Sequence, residues 1–147
     1  MSPIGSRHAA CVKRLIKLLV REVGDSGIVG AQDPVLLPGN SEPEPDVMVL
    51  RPREDFYAGA HPAPGAVLLV IEVSDTSLEY DREVKLPLYA RAGVPEVWIV
   101  DLINERVHTY SQPTDEFYED ARSIGPGGSV SPRALPGLVI SIHDILG

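Results

Sequence analysis

Between His8 and Val23 the apolar residues Val12, Leu15, Ile16, Leu19 and Val23 recur at steps of three and four. That spacing predicts one face of a helix, stopped by Gly24. Short apolar runs follow at "GIVG" (27–30), "PVLL" (34–37) and "PDVMVL" (45–50), set apart by Pro, Gly, Asn and Ser. They predict a meander of short strands. The looser "RPREDFYAGAHPAPG" leads into "AVLLVIEV", a buried strand, and then into the helical pattern of "SLEYDREVKLPLYARAG", ending at Gly93. Pro87 lies inside that pattern and predicts a kink or an interrupted helix. "VPEVWIVD" reads as a strand covered on both faces, with Trp98 in the core. "RVHTYS" and "FYEDARSI" add two strands, and "PGLVISIHDILG" closes with a strand and a helical turn.

The strand, helix, strand order from "AVLLVIEV" to "PEVWIVD" predicts a βαβ crossover, which makes that pair parallel and central. The expected fold class is α+β, a mixed central β-sheet with an N-terminal helix and a crossover helix. At 147 residues, with no internal repeat, a single domain over 1–147 is expected.

One position breaks the apolar pattern. Glu72 stands among Leu68, Leu69, Val70, Ile71 and Val73. A carboxylate in such a strand loses hydration unless a cation meets it, so it is either a structural ion pair or part of a site. Asp46 heads the strand "PDVMVL", and two carboxylates on neighbouring strands are the minimal protein contribution to a Mg²⁺ site. On the next helix Asp81 and Lys85 stand at i and i+4, with Tyr89 a turn further along the same face. Turned outward, that trio is a helix-stabilising ion pair beside an aromatic. Turned toward Glu72, it puts an ammonium where an attacking water or a charged phosphate could use it. His8, at the start of the first helix, is a candidate for the site mouth.

Composition narrows the classes. The net charge of −8 argues against a protein that coats nucleic acid by bulk electrostatics. A local strip remains, since Lys13, Lys17 and Arg21 lie at i, i+4 and i+8 on the polar side of the first helix. No apolar run reaches the length of a membrane span, and with Cys11 alone no internal disulfide can form, so a reduced cytoplasmic setting is expected. The histidines and Cys11 match no zinc spacing. There is no P-loop, no G-x-G-x-x-G and no G-x-S-x-G, which leaves no place for a nucleotide cofactor or a serine-hydrolase elbow.

The segments "SEPEPDVMVLRPR", "LLVIEVSDTSLEYDREVKLPLYARAGVPEVWIVDL" and "ALPGLVISIHDILG" together resemble the bacterial Uma family of restriction-endonuclease-like proteins, within the PD-(D/E)xK nuclease superfamily. The likeness runs over nearly the whole chain. It implies a restriction-endonuclease-like core, DNA as substrate, and Mg²⁺ or Mn²⁺ as cofactor. Asp46 matches the Pro-Asp carboxylate and Glu72 the second acidic ligand, which makes Asp46, Glu72 and Lys85 the implied catalytic set. Two departures stand out. The superfamily's usual lysine position, two residues after Glu72, is Ser74, and the lysine is expected to come from the helix as Lys85. Relatives also carry an "ELIDG"-like stretch before the point where this chain starts with "MSPIGSRH".

Three functions are therefore carried forward: a Mg²⁺-dependent DNA endonuclease; a nuclease-fold binding module without cleavage, for nucleic acid or protein; and a homodimeric structural domain in which the carboxylates and Lys85 form only an ion-pair cluster. Asp46 and Glu72 are the expected metal ligands, His8, Ser74, Asp81 and Tyr89 the accessory candidates, and Lys13, Lys17 and Arg21 the expected DNA backbone contacts.

Overall fold

The computed structural model describes residues 5–147. Helix α1 (Ser6–Val23) buries Cys11, Val12, Leu15, Leu19 and Val23 along one face. Leu15 and Leu19 are fully covered, each contributing about 2 kcal/mol of transfer free energy. Gly24 ends the helix at φ 51, a conformation glycine adopts without the clash of a Cβ.

Strands β1 (Ile28–Gly30), β2 (Val47–Leu50), β3 (Val67–Ser74), β4 (Glu96–Asp101), β5 (Arg106–Pro113) and β6 (Tyr118–Ile124) form one sheet in chain order. The pair β3 and β4 is parallel, and every other neighbouring pair is antiparallel. The sheet is therefore mixed, with the crossover at its centre, as the pattern of the chain requires. A small second sheet pairs β7 (Ser129–Val130) with β8 (Ile140–Ser141), which leads into α4 (Ile142–Leu146).

Each face of the large sheet has its own core. Val47, Val49, Leu69, Ile71, Val73, Trp98 and Val100 pack against α1 and α4. Met48, Leu50, Val70, Val97 and Ile99 pack on the other side against Tyr89 and Ala90 of the crossover. Because side chains alternate along a strand, Glu72 and Ser74 belong to this second side.

The crossover is helical throughout but changes pitch. It runs as α2 (Leu78–Tyr80), a π-helical stretch Asp81–Lys85, and α3 (Leu86–Arg91). The interruption expected at Pro87 thus takes the form of a widened turn immediately before the proline, whose ring supplies no N–H to the ladder. Gly93, at φ 80, turns the chain into β4.

One strand expectation is corrected. "PVLL" forms no strand; a single antiparallel bridge joins Leu37 to Ser41. Pro34 and Pro38 bracket the run, and its N–H groups go elsewhere, from Val35 to the carbonyl of Pro43 and from Leu36 to that of Pro62. Val35 and Leu37 are buried all the same, in the core under α3.

Candidate active site

Asp46 and Glu72 are brought together by sheet register. Val47 pairs with Ile71, so extending the antiparallel ladder by one residue sets Asp46 opposite Glu72. The Val73 N–H donates to Asp46 Oδ2 at 2.8 Å, fixing that carboxylate beside the strand that carries Glu72. His8, from the first turn of α1, brings Nε2 to 3.3 Å from the same oxygen. Its Nδ1 is a buried nitrogen without a hydrogen-bond partner among the described residues.

Glu72 is 2% exposed. Its Oε2 accepts from Lys85 Nζ at 2.9 Å and its Oε1 from the Tyr89 hydroxyl at 2.9 Å. The face of the crossover that carries Asp81, Lys85 and Tyr89 is therefore turned inward. Asp81 lies on the other side of the ammonium, with Oδ1 at 3.5 Å from Lys85 Nζ. Its Oδ2 accepts from the hydroxyls of Ser74 and Ser77. Ser74 thus occupies the position two residues after Glu72 and anchors the acid that steadies Lys85.

The electrostatics follow from burial. Loss of hydration raises the Glu72 pKa from 4.5 to about 7; Lys85 opposes the rise, and the Asp46 charge adds to it. Burial pulls Lys85 down, but Glu72 and then Asp81 outweigh it, and the ammonium is held above its ordinary pKa. Burial, with Glu72 behind it, pushes the Tyr89 phenol far up, so Tyr89 stays a donor. The site combines a carboxyl group that titrates near neutrality with a fixed positive charge.

Among the described residues no three His, Cys, Asp or Glu side chains gather into a cation cage. The donor set does suit a cation that takes one or two protein carboxylates and completes its shell with water, as Mg²⁺ does. Asp46 is part-exposed and Glu72 lies across the register from it.

The chain matches the model of the family described as "Uma2: Putative restriction endonuclease" over residues 1–143. It belongs to the Uma2 family. Among solved structures the Uma2 chain is similar to a "putative nuclease belonging to DUF820" from Anabaena variabilis ATCC 29413. Identity is 19% and the TM-score 0.74, covering 99% of this chain and 83% of that one. A second similar structure is the type IIG restriction endonuclease BpuSI, at 16% identity and TM-score 0.49, covering 80% of this chain and 14% of that one. No curated protein matches. The fold is restriction-endonuclease-like.

Of the residues singled out by sequence, this Uma2 chain gathers Glu72, Ser74, Asp81, Lys85 and Tyr89 into one cluster, with Asp46 and His8 adjoining it. Lys13, Lys17 and Arg21 are exposed along α1, and Arg21 pairs with Glu22. They take no part in that cluster. Sequence reasoning passed over Ser77, whose signal was its place at the N-cap of a helix, four residues before Asp81. It also passed over Asp101, which accepts from Asn104 and lies 3.1 Å from His108 Nε2 on the next strand. No spacing in the chain marks that pair, because strand register alone makes it. No described helix is long and apolar enough to cross a membrane.

Proposed function

We propose that this protein is a divalent-metal-dependent endonuclease that hydrolyses DNA phosphodiester bonds, with Asp46 and Glu72 holding Mg²⁺ or Mn²⁺ and Lys85 serving the attack. The observation that carries the reading is Lys85 meeting Glu72 at 2.9 Å, across the register from Asp46, in a Uma2 chain. When bound, such a cation supplies polarisation of a phosphoryl oxygen and acidification of water.

The chain's own groups supply the rest. Lys85, kept protonated between Glu72 and Asp81, offers N–H donors and a positive charge to the phosphate oxygen on which charge develops. Tyr89 and Lys85 fix both oxygens of Glu72, so the carboxylate is oriented before any ligand arrives. Glu72 must lose its proton to hold a cation, and with a pKa near 7 it does so as pH rises through neutrality. Activity is therefore expected to climb between pH 6 and pH 8.

Incubating supercoiled plasmid with purified protein and Mg²⁺ or Mn²⁺ tests the reading, with Glu72→Ala as control. Nicked or linear product from the native protein alone is expected. Equal product from both proteins would overturn it. The noncatalytic alternative, a nuclease-fold binding module, draws support from Glu72 having both oxygens already engaged within the protein. DNA retention without cleavage in either metal would select it.

A further inference from the structure

A cavity of about 260 Å³ lies between the first three turns of α1, the turn joining β4 to β5 and the end of α4, with Arg7, Ala10, Arg14, Leu102, Glu105 and Leu146 among its lining residues. Arg7 and Arg14 are seven residues apart, two helical turns, so their side chains leave the same face, and the small Ala10 between them leaves space. Both guanidinium groups are tethered by main-chain carbonyls. Arg7 Nη2 donates to Leu102 O at 3.1 Å; Arg14 Nε and Nη2 donate to Ile145 O at 3.0 Å and Leu146 O at 2.8 Å. A carbonyl positions a guanidinium without neutralising it. Ion pairs engage Arg21, Arg53, Arg91, Arg122 and Arg133 among the described residues, but neither Arg7 nor Arg14. Among the described residues the one acidic side chain on the cavity wall, Glu105, is exposed.

Arg7 bonds Leu102 O, and the Leu102 N–H bonds Ser74 O, two residues beyond Glu72. Arg7 also directly precedes His8, which reaches Asp46. The cavity thus opens at the same end of the sheet as the carboxylates, across the strand ends from Lys85.

We propose that this cavity is a phosphate subsite, in which Arg7 and Arg14 hold a backbone phosphate of the polynucleotide neighbouring the one beside Glu72 and Lys85. The proposal rests on the nuclease reading for the identity of its ligand. With one donor committed Arg7 keeps four others for phosphate oxygens, and Arg14, with two committed, keeps three; a planar guanidinium can meet two phosphate oxygens at once.

Fluorescence anisotropy tests it, with a labelled DNA duplex titrated in EDTA over a series of salt concentrations, so that binding is read without cleavage. Arg7→Gln should weaken binding about tenfold at 0.1 M salt and lower the salt slope by about one, equally for unrelated duplex sequences. Arg14→Gln should do the same. Since Arg14 also caps α4, its circular dichroism spectrum and melting temperature are measured alongside, and Arg14→Lys should restore the slope. Unchanged affinity and slope in Arg7→Gln, with the native protein binding DNA, would overturn the subsite and leave the nuclease reading standing. No binding by the native protein would also overturn the subsite; the nuclease reading is decided separately, by plasmid cleavage in Mg²⁺ or Mn²⁺.

Discussion

Replacing Glu72 by Gln removes a charge while keeping nearly the same shape, and its effect on stability should depend on pH in a calculable way. In the fold the Glu72 pKa is raised from 4.5 to about 7. A raised pKa means the folded protein holds its proton more tightly than the unfolded chain. The stabilisation from that proton is complete below pH 4.5 and is lost as pH rises through about 7. A rise of about 2.5 pK units corresponds to roughly 3 kcal/mol. Stability measured by chemical denaturation, with Trp98 fluorescence as the signal, should therefore fall by about 3 kcal/mol more in the native protein than in Glu72→Gln between pH 4.5 and pH 8. At pH 8 the variant should equal or exceed the native protein, since the neutral amide avoids the cost of a buried charge while Lys85, 28% exposed, keeps Asp81 as a counter-ion. Parallel curves for the two proteins across that range would refute the reasoning. Glu72 would then be an ordinary carboxylate whose hydration the Lys85 and Tyr89 contacts fully replace.

The other substitutions separate ion pairing from backbone geometry. Lys85→Met leaves Glu72 and Asp81 buried without their shared cation and should cost about 2–3 kcal/mol at pH 8, the low end for breaking a buried pair because Lys85 is 28% exposed; at pH 5, where Glu72 is neutral, the loss should be smaller. Denaturation at the two pH values checks this. Gly93→Ala places a Cβ at φ 80 in the turn before β4 and should destabilise by about 1 kcal/mol, read as a lower melting temperature with an unchanged denaturant slope.

Much of the fold is legible because its strands are long apolar runs bounded by Pro and Gly. β3 and β4, with a helical period between them, leave little choice but a parallel crossover. "PVLL" misleads for the same reason that it attracts notice: its apolar side chains are buried, but the flanking prolines deny it a ladder, and burial without pairing leaves no trace in a hydropathy pattern. At the site, Glu72 is conspicuous because a carboxylate interrupts an apolar strand. Its partner is less so, since Asp81 and Lys85 at i and i+4 describe an outward pair as readily as an inward one. The π-helical stretch Asp81–Lys85 that carries both residues is invisible in sequence, as is the register that sets Asp46 across from Glu72. The pair of Asp101 and His108 is hidden likewise, for its members sit on different strands and only the β4 to β5 alignment joins them.

The central claim, that Asp46 and Glu72 share one divalent cation, is tested most directly by Mn²⁺ binding, read by electron paramagnetic resonance of free Mn²⁺ in protein solutions at pH 6 and pH 8. One site per chain is expected, tighter at pH 8 because Glu72 gives up its proton, and lost in both Asp46→Asn and Glu72→Gln. Binding that is the same in the native protein and in both variants, or that does not change between the two pH values, would contradict it.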